Sequence, residues 1–376
     1  MNKSIKSFLV KNNIKIEKKI SFNFSYSGLE KFKDSNNKVK IYNRPINVAI
    51  TGGAGNIGYS LSFKVGEGEL FGPNQLINLR LIDIPQAENK LYGCKLELDD
   101  CNFPCINQVT THTDLSSGFK DVDCVFIIGV ANTVAKGERV DGLRANAEIL
   151  RNNGKALNDN AHKDCKVLVV GNPVNTNALI AMKHAPRLNP KNFHAMSRLD
   201  HNRVINKLSD MLKVHRTKIE NVFIWGNHDA TMYPELHFGL ADGKKITDLL
   251  DENTIDEEIR SFVADRWKEI LHFRCITSCA SAGKAAIDHM RDWYVGSQEW
   301  ISKSILVDDR ISKLYNIPKD IIFSLPVQVE STVKDNLISS NVKVIDNLKL
   351  NEFTKSRIEI TSNSLVNEKK MIENYL

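Results

Sequence analysis

The sequence predicts an α/β fold, an N-terminal doubly wound parallel sheet followed by a C-terminal mixed α+β domain, and three observations carry that prediction. Short apolar runs rich in branched residues recur at Ile46–Thr51, 79–82, 122–128, 167–170 and 222–225, each bounded by Gly, Asp or Asn. Helix-compatible stretches lie between them, such as 141–161 with Leu143, Ala147, Leu150 and Leu157 near helical spacing. A glycine cluster follows the first run at once. Runs this short and this uniformly apolar read as strands buried on both faces, and their alternation with helices makes a parallel sheet.

The elements divide the 376 residues into three parts. Residues 1–44 form a basic extension with eleven Lys or Arg against Glu17, Glu30 and Asp34. It is rich in Lys, Ser and Asn, with Ile5, Phe8, Leu9 and Val10 as an early apolar group. That composition is the expectation for an organelle-targeting transit peptide and a mitochondrial matrix location; a disordered tail on a cytoplasmic protein is the alternative. Residues 45–197 are expected to hold the parallel sheet and 198–376 a second domain, in which long amphipathic segments at 259–276 and 366–375 dominate.

The formal net charge of +6 belongs to the extension, because the rest of the chain carries 40 basic against 42 acidic groups. A nucleic-acid surface needs Lys and Arg clustered on the folded part, so no nucleic-acid partner is expected. No apolar run approaches the length of a membrane span, and no membrane association is expected. Seven scattered cysteines, without Cys/His sets at zinc-site spacing, argue for free thiols and no metal.

The chemistry begins at the turn after the first strand, where Gly52, Gly53, Ala54, Gly55, Asn56, Ile57 and Gly58 precede a helical stretch. A dinucleotide pyrophosphate lies against backbone N–H groups at a helix N-terminus, and side chains there would hold the backbone away from it. Strand before and helix after are the context that a Rossmann turn requires. Asp83 ends the run 79–82, 25 residues beyond Gly58, with 66–78 read as a lengthened loop. An acid at that strand end accepts from the adenosine ribose hydroxyls and selects NAD over NADP.

The run 167–170 is followed by Gly171, Asn172, Pro173, Val174 and Asn175, and ligands gather beyond such strand ends. Two further segments, RLDHNR at 198–203 and WGNHDATMYPE at 225–235, bring the residue types that reduction of a 2-keto acid needs. Histidine exchanges protons near neutral pH, and a carboxylate fixes its tautomer. Arginine grips a carboxylate with two parallel hydrogen bonds. Asp200 and His228 stand 28 residues apart, and spacing alone does not say that they meet.

These segments, with LELDDCNFP at 96–104, VVGNPVNTNALIAMK at 169–183 and SAGKAAIDHMRDWYVG at 281–296, make the chain from about Ile46 onward resemble the cytosolic-type malate dehydrogenases of the lactate/malate dehydrogenase superfamily. The resemblance implies an NAD-dependent 2-hydroxy acid dehydrogenase that acts on malate, assembles as a homodimer and serves the tricarboxylic acid cycle. It implies His228 as the catalytic acid/base and Asp200 as its partner. Arg203 matches the grip on the C1 carboxylate, Arg139 the loop arginine that polarises the carbonyl, Asn172 the asparagine that orients substrate, and Ser278 a substrate-facing serine. Gly129, Asn146 and Val170, with Asn172 again, fall to the cofactor site beside Gly52, Gly55, Asn56, Ile57, Gly58 and Asp83.

Two positions depart from that pattern. The arginine that would bind the second carboxylate of oxaloacetate stands six residues before Arg139, where this chain has Thr133, and Val134 follows. Lactate or another 2-hydroxy acid is therefore the alternative substrate, with Lys136 within reach of the distal group as the counter-argument. Asp229 follows His228 where a small hydroxyl residue is usual; facing the ring it would raise the imidazole pKa, and facing solvent it would do nothing. A cofactor-binding relative without turnover is the rival reading, and the retention of His228, Asp200, Arg203 and Arg139 speaks against it.

Overall fold

A computed structural model of the chain describes residues 42, 44–131, 139–334 and 337–376. Most of the basic extension lies outside the described residues, as do Thr133, Val134, Lys136 and the side chain of Arg139. Six strands pair in parallel: β1 (Ile46–Thr51), β2 (Ile77–Ile82), β3 (Ile106–His112), β4 (Cys124–Ile127), β5 (Lys166–Val169) and β6 (Phe193–Ala195). Their spatial order is β3-β2-β1-β4-β5-β6. The connections carry α1 (Asn56–Gly66), α2 (Glu88–Asp100), α3 (Leu115–Gly118), α4 (Arg139–Asn160) and α5 (Val174–Lys183).

Period-two alternation explains the two helical layers. Val48 and Ile50 of β1 pack with Leu61 and Val65 of α1 and with Leu91 and Leu98 of α2. Ala49 faces the other way, into a cluster with Ala147 and Leu150 of α4 and Ala178 of α5. The direction of winding reverses between β1 and β4, and a crevice opens beyond the carboxyl ends of strands at such a reversal.

The rest of the chain begins with α6 (Arg198–Leu212) and the short strands β7 (Ile219–Glu220), β8 (Phe223–Trp225), β9 (Tyr233–Glu235), β10 (Leu240–Ala241) and β11 (Lys244–Lys245). A π-helical turn over Thr254–Arg260 runs into α7 (Ser261–Arg274), followed by α8 (Ala280–Val295), β12 (Ser297–Leu306), α9 (Asp309–Tyr315), β13 (Ile322–Lys334), β14 (Leu337–Val344) and α10 (Glu352–Met371). β12, β13 and β14 pair antiparallel, and β12 pairs antiparallel with β6, so one nine-stranded sheet passes through both halves of the chain.

The region after 255 was expected to be a mixed domain with long amphipathic segments; those at 259–276 and 366–375 are largely helical, and beside them stand three long strands that the sequence reading did not single out. Ser302, Lys303 and Ser304 lie consecutively in β12, polar yet buried, and so hide the alternation that would mark a strand. The run 222–225 was grouped with the parallel strands; as β8 it pairs antiparallel with β9 outside the main sheet. At the other boundary, Arg44 is tied to the body by two hydrogen bonds to Asp123, of 2.8 and 2.6 Å.

Lys303 is fully buried, with its ammonium nitrogen 2.6 Å from the carbonyl oxygen of His289 and 5.7 Å from the Trp293 ring. Burial holds its pKa well below the ordinary lysine value; Asp292 opposes this, while Arg198 and Lys166 reinforce it. The unfolded chain therefore binds this proton at a pH where the folded chain does not, and stability contributed here is present at high pH and lost as pH falls through the unfolded lysine value. Lys303→Met keeps the length of the side chain without the amine. It is expected to raise Tm by roughly 1–3 °C at pH 7, the scale of about 1–2 kcal/mol for a chain of this length. The gain should shrink as pH approaches 10, which thermal melts across that range will read.

Candidate active site

The glycine turn is built by close backbone approach. Gly52 adopts φ +67°, and a Cβ on it would stand 2.8 Å from the backbone nitrogen of Gly129 at the end of β4. A Cβ on Gly58 would collide with the carbonyl oxygen of Gly52. The turn is closed by the Gly55 N–H donating to Gly52 O at 3.0 Å. α1 then starts at Asn56 with no side-chain cap among the described residues, which leaves first-turn N–H groups, Ile57 among them, without a side-chain acceptor. Asp83 lies where β2 ends, its carboxylate accepting from the N–H groups of Ala54 and Ile84, each at 2.9 Å. An uncapped helix start, a backbone that excludes side chains and an acid beside them fit a dinucleotide. Gly129 is held by the Thr51 hydroxyl, which accepts its N–H at 3.2 Å, and Val170 packs into the core at the end of β5.

The catalytic candidates meet at the start of α6. His228 Nδ1 lies 2.5 Å from Asp200 Oδ2, and the other oxygen of Asp200 stands 3.6 Å from Arg203. Asp200 is nearly inaccessible, whereas the His228 side chain keeps 15% of its surface, with Nε2 unpartnered among the described residues. Asp200 and Arg203 share one face of α6 because they are three residues apart. Arg203 Nη1 donates to Val263 O at 3.0 Å and Nη2 to Ser278 Oγ at 3.3 Å. Burial works against the imidazolium, but the charge of Asp200 and its hydrogen bond overcome that; Arg203 opposes and Asp229 adds a smaller push. The pKa of His228 ends above its ordinary value.

This constellation coincides with two family models that together span nearly all of the described body. Residues 46–194 match the lactate/malate dehydrogenase NAD-binding domain, and 197–376 match the lactate/malate dehydrogenase α/β C-terminal domain. The chain belongs to the lactate/malate dehydrogenase family. It is an NAD-dependent oxidoreductase, and NAD is its cofactor.

Solved members of the family agree with the fold. The malate dehydrogenase of Naegleria fowleri is 36% identical, with 89% of this chain and all of that one covered at a TM-score of 0.82. The lactate dehydrogenase of Trichomonas vaginalis, in complex with NADH and oxamate, is 35% identical over 88% of this chain and 98% of that one, with a TM-score of 0.80.

Within this lactate/malate dehydrogenase, Asn146 of α4 and Asn172 at the end of β5 are joined directly. The buried Asn146 accepts the Ala131 N–H at 2.7 Å and donates to Asn172 O at 3.3 Å. It thereby ties the backbone after β4 to the backbone after β5. The Asn172 side chain is exposed at the carboxyl end of β5.

Asn175 was quoted in the sequence only as part of a turn. Here its Oδ1 accepts the His228 N–H at 3.2 Å, and its Nδ2 donates to Ile322 O at 2.8 Å. Asp229 is turned into its own loop and α10, yet its charge still raises the His228 pKa as expected of a carboxylate near the ring, as the smallest of the causes. Its carboxylate accepts from the Thr231 N–H at 2.7 Å and from Ser364 Oγ at 3.0 Å, on α10. Thr361, Ser364 and Glu368 of that helix were missed, because nothing local in a polar helix face marks it as packed on the loop that carries His228.

Proposed function

We propose that the chain is a malate dehydrogenase that interconverts malate and oxaloacetate. The chemistry rests on one observation, the grouping of His228, Asp200 and Arg203 at the crevice that carries the cofactor turn. The choice of malate rests on likeness to the Naegleria fowleri malate dehydrogenase across its whole length, together with the malate-type segments at 96–104, 225–235 and 281–296. Bound NAD supplies the hydride acceptor, or NADH the donor. In the oxidative direction neutral His228 takes the hydroxyl proton at Nε2, and Asp200 stabilises the imidazolium that forms. In the reductive direction the imidazolium returns the proton to the ketone oxygen. Arg203 holds the C1 carboxylate, with its orientation set by Asp200, Ser278 and Val263 O. Arg139, at the first position of α4, is assigned to the carbonyl oxygen, a contribution of about 3 kcal/mol for such a donor.

Thr133 favours a second reading, lactate or another 2-hydroxy acid without a distal carboxylate, and the Trichomonas vaginalis lactate dehydrogenase is nearly as similar as the malate enzyme. The two readings are separated by kcat/KM for oxaloacetate and for pyruvate, followed as NADH oxidation. A larger value for oxaloacetate is expected; a larger value for pyruvate would replace malate with lactate.

The proposal includes a homodimer. Tyr59 on α1 and Tyr92 and Leu96 on α2 expose 37%, 54% and 45% of their surface on neighbouring helices, which is the apolar character of a partner face. It also includes the mitochondrial address in residues 1–44, on composition alone.

A further inference from the structure

The loop that carries His228 is held from two sides. On one side lies α5, whose Asn175 accepts the His228 N–H. On the other lies α10, where Thr361, Ser364 and Glu368 stand at intervals of three and four residues and so share one face. Thr361 Oγ1 accepts the Asn227 N–H at 2.9 Å. The Asn227 side-chain amide reaches Glu368 Oε1 at 3.1 Å, Asp229 Oδ2 at 3.2 Å and Ser364 Oγ at 3.3 Å. Glu368 is buried, and its second oxygen accepts from Thr176 Oγ1 of α5 at 2.5 Å. Gly226, at φ +96°, lets Thr361 come so near that any Cβ there would strike its side chain.

We infer that Glu368 is a positioning residue for proton transfer. It spans α5, α10 and Asn227 and so fixes the backbone from which His228 reaches Asp200. The inference rests on His228 being the proton donor and acceptor. Among the described residues, the charged groups that act on that ring are Asp200 and Arg203 from α6 and Asp229 from its own loop; Glu368 acts through Asn227. If the loop slackens, the hydrogen bond between Asp200 and His228 lengthens. The imidazolium then loses its main support, and Nε2 leaves its reacting position.

The test is the titration of His228 in the full-length free protein, followed by NMR of histidine labelled with nitrogen-15, beside steady-state kinetics. In Glu368→Ala the His228 midpoint is expected to fall toward the ordinary imidazole value. kcat is expected to fall about 10- to 100-fold, the scale of a misplacement of an ångström or less. KM for NADH should stay within about twofold, because the cofactor turn is untouched. Glu368→Gln keeps an oxygen for Asn227 and an amide for the Thr176 hydroxyl, and is expected to recover most of both readings. Asn363→Ala, on the exposed face of the same helix, is expected to change neither. Glu368→Asp is one methylene short of spanning Thr176 and Asn227; it is expected to show the same shift in smaller measure and decides the matter if the alanine variant does not fold. A folded Glu368→Ala with unchanged His228 titration and unchanged kcat would overturn the inference. If the wild type reduces no 2-keto acid, the functional reading fails, and the NMR shift still decides whether Glu368 positions the imidazole.

Discussion

His228→Asn is expected to lower kcat about 10²- to 10⁴-fold in both directions, the range that a positioned general acid/base contributes. Asparagine retains a polar group of similar reach but cannot take up a proton from the hydroxyl or deliver one to the ketone. NADH affinity is expected to hold, because the glycine turn and Asp83 lie on other loops. The pH dependence follows from the raised imidazole pKa. Reduction needs the imidazolium, so kcat/KM for the keto acid should fall as pH rises through a midpoint above the ordinary histidine value. Oxidation needs the neutral ring and should rise over the same window. Asp200→Asn removes the attraction that offsets burial, and is expected to move that midpoint downward together with a loss of kcat. Stopped-flow and steady-state rates from pH 5 to 9 will check both substitutions. A variant at His228 that still turns over within about tenfold of wild type would remove the imidazole from the chemistry.

Thr133→Arg is expected to raise the ratio of kcat/KM for oxaloacetate over pyruvate by about 30- to 4,000-fold, which corresponds to the roughly 2–5 kcal/mol of a desolvated arginine–carboxylate pair. The guanidinium would meet the distal carboxylate of oxaloacetate with two hydrogen bonds and would face only a methyl group in pyruvate. The unfavourable half of the change matters as much: an arginine buried against a methyl group is left without a partner, which lowers pyruvate turnover. The comparison needs both substrates in both proteins. A ratio that does not move means that another cation, Lys136 first, already answers the distal carboxylate.

Much of the cofactor face was legible because its requirements are local. A strand, a turn that admits no Cβ and a helix start follow one another within a dozen residues, and Asp83 closes the next strand. β2, β4 and β5 were legible as short, largely apolar runs, whereas β3 (Ile106–His112), polar and half-exposed, and β6 (Phe193–Ala195), three residues long, were not. The His228–Asp200 pair was legible only as residue types. Nothing in a spacing of 28 residues places Asp200 against His228; the contact arises because the start of α6 and the loop after β8 converge on one crevice.

What remained hidden depends on long-range packing. Lys303 reads as an exposed residue of a polar stretch, yet the joining of β12 to β6 seals it beneath α8. Glu368 reads as part of the solvated face of a terminal helix, and only the docking of α10 beside α5 turns it toward Asn227. The π-helical turn over Thr254–Arg260 has no signature that separates it from an ordinary helix start. Lys303 and Glu368 are unremarkable within their own segments; the elements packed against them decide their environments, His289 and Trp293 of α8 for Lys303, Thr176 of α5 and Asn227 for Glu368.

The most direct test is a crystal structure of the full chain with NADH and oxamate. The expected result is His228 Nε2 within hydrogen-bond reach of the carbonyl oxygen of oxamate, the Arg203 fork on its carboxylate, and Asp200 still joined to Nδ1. Oxamate bound away from His228, or an Arg203 that keeps its contacts with Val263 and Ser278 and does not touch the ligand, would contradict the account.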